Sequence, residues 1–201
     1  MKTCFAGLGV LTIWLAGAEL FAQENQAPAP ALARNLLQEL IAINTTPTNG
    51  STKAAEAMAT RLRTAGFADA DVRLLGPRPE RQNLVVRLHG HTRAKPILFI
   101  AHLDVVDAPR EGWLPGLEPF QLTERDGFFY GRGVIDNKNA VACLVANLIR
   151  LRAEGFVPDR DFLVALTADE EAGNANGVEW LLSEHRDLMD VAWCVNHRLA
   201  R

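Results

Sequence analysis

The residues best suited to chemistry stand at the end of the run from Pro96 to Asp104. This run is apolar until it reaches His102 and Asp104, whose side chains can bind metal ions and exchange protons. An unbroken apolar run of this length predicts a strand buried on both faces, and polar site residues tend to gather where such strands end. Because side chains two positions apart point to the same side of a strand, we expect the carboxylate of Asp104 to lie beside the imidazole of His102.

Two acidic segments follow at equal intervals along the chain. The segment 131–138 carries Asp136, and the pair Glu170-Glu171 comes shortly after a second apolar run. The interval from 102 to 136 equals the interval from 136 to 170, and each has room for one strand and one helix. Taken singly, a histidine near a strand end is more often a hydrogen-bonded structural residue, and a Glu-Glu pair is more often solvated surface. Three such segments, which recur at equal intervals beside predicted buried strands, instead favour one shared site.

These segments resemble, in type and in order, those of the M20 metallopeptidases. That family includes carboxypeptidases, aminoacylases and deacylases of N-acylated amino acids. The resemblance covers nearly all of the chain after its first 30 residues, and its ordered motifs make it specific. It rests on His102-x-Asp104, Gly131-Arg-Gly-x-x-Asp136-x-Lys138 and Glu170-Glu171-x-Gly173, with Trp113, Pro119-Phe120 and Asp126-Gly127 between them.

The chemistry of zinc suggests a role for each residue of the predicted site. Zinc accepts imidazole nitrogen and carboxylate oxygen, and two zinc ions about 4 Å apart need at least one bridging carboxylate. We therefore predict His102 and Glu171 as terminal ligands and Asp136 as the bridge between two Zn²⁺ ions. Glu170 is then free to act as general base, and Asp104 is predicted to tune the site by hydrogen-bonding the second nitrogen of His102. In the family, the positions of Asp104 and Glu170 are the two regarded as catalytic.

The resemblance implies a zinc-dependent metallohydrolase that cleaves the amide bond of a small peptide or an N-acyl amino acid.

The end of the sequence departs from the family pattern. In the members it most resembles, the last strand runs into Asn-Glu-Gly-Gly, whose Glu binds the second metal, whereas this chain has Asn196-His197. His197 is a possible replacement ligand, and a shifted reading frame or premature stop is the simpler explanation. We therefore expect the printed chain to be a truncated member that is inactive by itself. The alternative is a non-catalytic fragment that binds at most one metal weakly.

Apolar strands that alternate with helical segments predict an α/β sandwich with a largely parallel sheet. The resemblance implies the same architecture, a three-layer zinc-peptidase catalytic domain with a largely parallel or mixed sheet, here without the smaller inserted domain. We predict that this partial domain occupies residues 31–201. Apolar spacing predicts helices from about Leu32, from Thr52 as N-cap, from Asn137 and around 178–182, and β-prone runs predict strands at 72–75, 83–88, 96–101, 128–130, 162–166 and 191–195.

The first 22 residues are typical of a secretory signal peptide. Lys2 precedes an apolar core, and small residues stand near Ala22, where cleavage is predicted. A membrane anchor is the competing interpretation, but three glycines and Glu19 weaken the run and it is shorter than a usual span. We expect export to the periplasm or the extracellular space. Residues 23–30 are rich in Gln, Ala and Pro and are predicted to be a flexible lead-in.

The remaining composition excludes some classes of partner. The formal net charge of −3 offers no basic surface for nucleic acid or for anionic lipid, so we expect neither nucleic-acid binding nor membrane binding after signal cleavage. Cys143 and Cys194 are the two cysteines beyond the signal peptide. An oxidising compartment would permit them to pair, but each lies in an apolar segment, and two buried thiols are predicted.

Overall fold

The computed structural model describes residues 29–171 and 175–196. The predicted signal peptide, Gly173 and His197 lie outside these ranges. Among the described residues, the first helix begins at Ala29, so the last two residues of the predicted lead-in are helical. The helices are α1 (Ala29–Ala42), α2 (Thr52–Thr64), α3 (Lys138–Ala153) and α4 (Gly177–Glu184), and the strands are β1 (Val72–Leu75), β2 (Asn83–Leu88), β3 (Ile97–His102), β4 (Thr123–Arg125), β5 (Phe128–Tyr130), β6 (Phe162–Thr167) and β7 (Trp193–Asn196).

Five of the strands form one sheet in the order β1-β2-β6-β3-β7. The pairs β1–β2 and β2–β6 are antiparallel, whereas β6–β3 and β3–β7 are parallel. Parallel neighbours need a crossover connection, and between β3 and β6 this is a long loop, the β4–β5 hairpin and α3. The predicted α/β architecture is confirmed, with a mixed sheet.

Helices cover the sheet on both faces. On one face, α1, α2 and α3 bury a large core through residues such as Leu40, Met58 and Val145. On the other face, α4 buries Leu181 against a smaller cluster from the sheet. Adjacent residues of β2 show how the strand supplies both cores, because Val86 belongs to the first and Val85 to the second. The result is three layers with the sheet in the middle.

The start of α2 corrects one prediction. Ser51, and not Thr52, is the N-cap residue, and Thr52 is the first residue of the helix. The hydroxyl of Thr52 donates to the carbonyl of Pro79 at 2.7 Å and accepts from the N–H of Gln82 at 3.1 Å. Thr52 therefore ties the helix to the loop before β2, a tertiary contact that helix-capping patterns do not reveal.

The prediction that both cysteines are buried is wrong. Cys143 and Cys194 are exposed free thiols. Cys194 lies in β7, an edge strand whose four residues are all exposed, and Cys143 lines an open groove between α3 and β7 together with Val195. An apolar strand at the edge of a sheet is covered on fewer sides than a central one, so apolar sequence alone does not establish burial.

Within the described ranges, the helices are too short or too polar for any of them to cross a lipid bilayer.

Candidate metal centre

The candidate site lies where β3 and β6 end. These strands are parallel neighbours, and His102 at the end of β3 is opposite Thr167 at the end of β6. The N–H of Leu103 donates to the carbonyl of Thr167 at 2.8 Å, so the two chain segments stay together as they leave the sheet. Two loops with acidic residues therefore start from one edge of the sheet, as is usual for sites in α/β proteins.

His102 is buried, and both of its ring nitrogens have partners. Nδ1 lies 3.1 Å from the carbonyl oxygen of Asp104 and 3.5 Å from Oδ1 of the same residue. Because a carbonyl oxygen can only accept, Nδ1 carries a proton and donates it, which leaves Nε2 to face the rest of the site. Nε2 lies 2.9 Å from Oδ1 of Asp136. His102 is thus oriented on one side by Asp104 and meets a carboxylate on the other.

Asp104 joins the two loops. Its buried carboxylate accepts the N–H of Glu170 at Oδ1, 3.1 Å away, and the N–H of Glu171 at Oδ2, 2.9 Å away. Burial by itself would raise the pKa of Asp104, but the hydrogen bonds from His102 and from these two N–H groups hold it below the usual value. A single ionised carboxylate therefore fixes both the imidazole and the backbone of the Glu-Glu pair.

Three residues that could bind a metal lie close together beside Asp104. One ligand atom from each of His102, Glu170 and Glu171 lies within 4.8 Å of the other two. Asp136 contacts this cluster through Nε2 of His102, and its side chain is half exposed. All five residues singled out in the sequence therefore lie in one region.

The site holds more negative than positive charge. Burial opposes a charge on His102, but Asp104, Asp136 and Glu170 outweigh it and raise the pKa of the imidazole to about 9. Burial also raises the pKa of Glu171, and the carboxylates of Asp136, Glu170 and Asp104 add to this rise against the attraction of His102. Four carboxylates lie around one imidazole, so a bound cation would be stabilised at this position. Imidazole nitrogen and carboxylate oxygen are ligands that zinc prefers, so the donor set fits a divalent metal.

Asp136 reaches the site from the N-terminal end of α3. The peptide bond between Asp136 and Asn137 is cis. Two residues later, Lys138 is fully buried, and its ammonium group donates to the carbonyls of Leu40 at 2.8 Å and Ile43 at 2.7 Å. Burial lowers the pKa of Lys138 to about 7, although the charge of Asp104 acts in the opposite direction. Lys138 thus fastens the start of α3, and with it Asp136, to the last carbonyls of α1.

We expect Lys138→Met to destabilise the chain by about 1–3 kcal/mol, because the carbonyls of Leu40 and Ile43 would lose a donor at a buried position. Urea unfolding followed by far-UV circular dichroism measures this change. Lys95→Met is the matched control, because Lys95 and its partner Asp190 are mostly exposed and their pair contributes little. Equal unfolding free energies for the two variants would contradict the fastening role of Lys138.

Sequence reasoning missed three charged residues near the site that are buried or largely buried. It gave Lys138 no role of its own, and it did not single out Asp169 or Arg81. In the structure, Nε of Arg81 lies 3.1 Å from Oδ1 of Asp169, and the side chain of Asp169 is buried while that of Arg81 is 13% exposed. The position of Asp169 directly before the Glu-Glu pair was the one available signal. Arg81 gave none, because it lies in a loop far from Asp169 along the chain.

The comparisons with known proteins agree with this geometry. Residues 98–197 match the profile described as peptidase family M20/M25/M40. An N-fatty-acyl-amino acid synthase/hydrolase, PM20D1 of Bos taurus, is 44% identical over 85 residues, which are 42% of this chain and 16% of that protein. A succinyl-diaminopimelate desuccinylase of Delftia acidovorans is 38% identical over 146 residues, which are 70% of this chain and 36% of that protein. The chain therefore spans well under half the length of these curated relatives.

Solved structures share the fold. Human carnosine dipeptidase 1 superposes with a TM-score of 0.64 at 22% identity, covering 89% of this chain and 40% of that one. The dipeptidase Dug1p of Saccharomyces cerevisiae superposes with a TM-score of 0.68 at 20% identity, with the same two coverages. At such low identity, these likenesses establish the architecture alone.

Proposed function

The chain belongs to peptidase family M20/M25/M40, and we propose that the protein is a zinc-dependent hydrolase of peptide or N-acyl amino-acid amide bonds. One observation carries the proposal. The carboxylate of Asp136 contacts Nε2 of His102, and the carboxylates of Glu170 and Glu171 lie within 4.8 Å of a ring nitrogen of the same histidine. Asp104 accepts the backbone N–H groups of Glu170 and Glu171 and so fixes this arrangement. In a structural ion-pair network, arginine or lysine side chains balance such carboxylates. In a metal centre, the bound metal ion balances them instead.

In this proposal, His102 and Glu171 would hold zinc as terminal ligands, and Asp136 would be the carboxylate shared by two zinc ions. When bound, zinc would supply Lewis-acid polarisation of the amide carbonyl and would acidify the attacking water. Glu170 would accept the proton of that water and deliver it to the leaving amine, because its carboxylate lies in the cluster and this assignment leaves it free of the metal. Asp104 keeps Nδ1 of His102 protonated, so that Nε2 presents its lone pair to the metal.

The names of the relatives favour one class of substrate. The PM20D1 proteins are named for N-fatty-acyl amino acids, and the desuccinylases for succinyl-diaminopimelate. In both names, an acyl group is joined to an amine of an amino acid. We therefore propose that the protein acts on N-acyl amino acids or short peptides and, because of the predicted signal peptide, outside the cytoplasm.

Chelation and reconstitution test this function. In the longest natural form of the protein, we expect hydrolysis of a panel of N-acyl amino acids and dipeptides to be lost on treatment with a chelator and restored by zinc. The released amine is measured directly. Hydrolysis that survives exhaustive chelation would contradict the metal dependence. Absence of hydrolysis of every amide by the zinc-loaded protein would contradict the proposed reaction.

A further inference from the structure

The segment that carries the Glu-Glu pair has a second anchor besides Asp104. Asp169 precedes the pair and is 2% exposed, and it adopts a left-handed backbone with φ of 61°. This region is unfavourable for a residue with a Cβ and needs support from the surroundings. Both carboxylate oxygens of Asp169 have partners, Arg81 Nε at Oδ1 and the N–H of Ala175 at Oδ2, 2.7 Å away. Asp169 thereby closes the loop across the Glu-Glu pair.

Arg81 is itself fixed in place. Its guanidinium donates to the carbonyl of Pro47, and the turn 46–51 packs closely around it. A Cβ on Gly50 would lie 2.6 Å from Nη1 of Arg81, and Gly50 has φ of 72°, so this turn accepts only glycine without strain. The N–H of Ser51 donates to the carbonyl of Glu80 at 3.1 Å, which holds the loop before Arg81 against the same turn.

The turn that holds Arg81 continues from a segment that contacts the other side of the site. The hydroxyl of Thr45 donates to the carbonyl of Leu103 at 2.8 Å, and the N–H of Val105 donates to the carbonyl of Thr45 at 3.2 Å. These contacts flank Asp104, which orients His102. One N-terminal segment, 45–51, therefore supports both loops that supply the site.

Taken as an ordinary structural ion pair, Arg81 and Asp169 would add little net stability, because the desolvation of a buried pair offsets much of its attraction. The location of this ion pair, with Asp169 directly before Glu170 and Glu171, says more about its role than its stability does. We propose that Arg81 and Asp169 are a positioning pair that directs the carboxylates of Glu170 and Glu171 towards His102. This inference rests on the proposed metal site and extends it to two residues that are not among its assigned ligands.

Cobalt binding by the full chain tests the inference, because the visible absorption of Co²⁺ reports the geometry of its ligands. We expect Arg81→Met and Asp169→Asn to weaken Co²⁺ affinity about 10–100-fold, the usual cost of losing an outer partner of a metal site, and to alter the absorption bands. Arg81→Lys should recover part of the affinity, because it keeps the charge.

Arg61→Met is the matched control, since Arg61 forms a partly buried ion pair with Glu39 between α1 and α2. It should lower stability without altering the Co²⁺ spectrum. Thermal unfolding identifies any variant that fails to fold, and in that case Arg81→Lys and Asp169→Asn decide the outcome. If the folded variants bind Co²⁺ with unchanged affinity and spectrum, the positioning role is wrong while the metal site stands. If the unaltered chain itself does not bind Co²⁺, the metal site is wrong and the positioning role falls with it.

Discussion

Glu170→Gln is expected to reduce kcat by about 10²–10⁴-fold while the protein keeps its metal. The amide of glutamine has nearly the shape of the carboxylate, but it cannot accept the proton of the attacking water. The backbone N–H of residue 170 remains able to donate to Asp104, so the loop keeps its position. Steady-state hydrolysis by the longest natural form of the protein, with zinc measured on the same samples, separates the two effects.

Glu171→Gln provides the contrast. Glu171 is assigned as a metal ligand, so its replacement should lower zinc content as well as turnover. Glu179→Gln is the control for a harmless loss of negative charge, because Glu179 lies in the first turn of α4 and is exposed. If Glu170→Gln and Glu171→Gln lose zinc equally, the division of roles within the pair is wrong. If Glu170→Gln keeps its full kcat, Glu170 is not the general base.

The elements that carry the site were predictable because their signals are local. The apolar runs that become β3 and β6 are long, continuous and end in polar residues, so both strands and the loops after them could be recognised. The pairing of His102 opposite Thr167 could not, because parallel neighbours are joined through a long crossover whose packing fixes the register. The strands β1 and β2 lie on one side of β6 and pair antiparallel, which makes the sheet mixed. Their place in the sheet could not be predicted either, because it also depends on packing between elements that are distant in sequence.

Within the site, residue types were predictable and their backbone contacts were not. His102 and Asp104 were expected side by side from strand periodicity, yet the atom of Asp104 that lies closest to the imidazole is its carbonyl oxygen and not its carboxylate. The carboxylate of Asp104 instead accepts N–H groups from Glu170 and Glu171, which are distant in sequence. Such contacts are set by how two loops leave the sheet. No sequence pattern encodes them directly.

The second large effect is expected for His102→Ala. This change removes the imidazole that the carboxylates surround, and it frees the partners of both ring nitrogens, Asp104 and Asp136. Loss of a residue that only hydrogen-bonds a ligand lowers metal affinity by roughly 10–100-fold. Loss of a direct ligand such as His102 should lower zinc affinity by more than this. His91→Ala is the control, because His91 is mostly exposed in a turn and hydrogen-bonds the carbonyl of Pro158.

The central claim is that this cluster is a metal centre, and zinc bound per chain tests it most directly. The full chain, His102→Ala and His91→Ala are dialysed to equilibrium against the same low zinc concentration and measured by atomic absorption, with far-UV circular dichroism to verify that each is folded. We predict that the unaltered chain and His91→Ala bind zinc to the same extent and that His102→Ala binds little or none. Equal zinc in all three folded proteins, or none in the unaltered chain, would contradict the account.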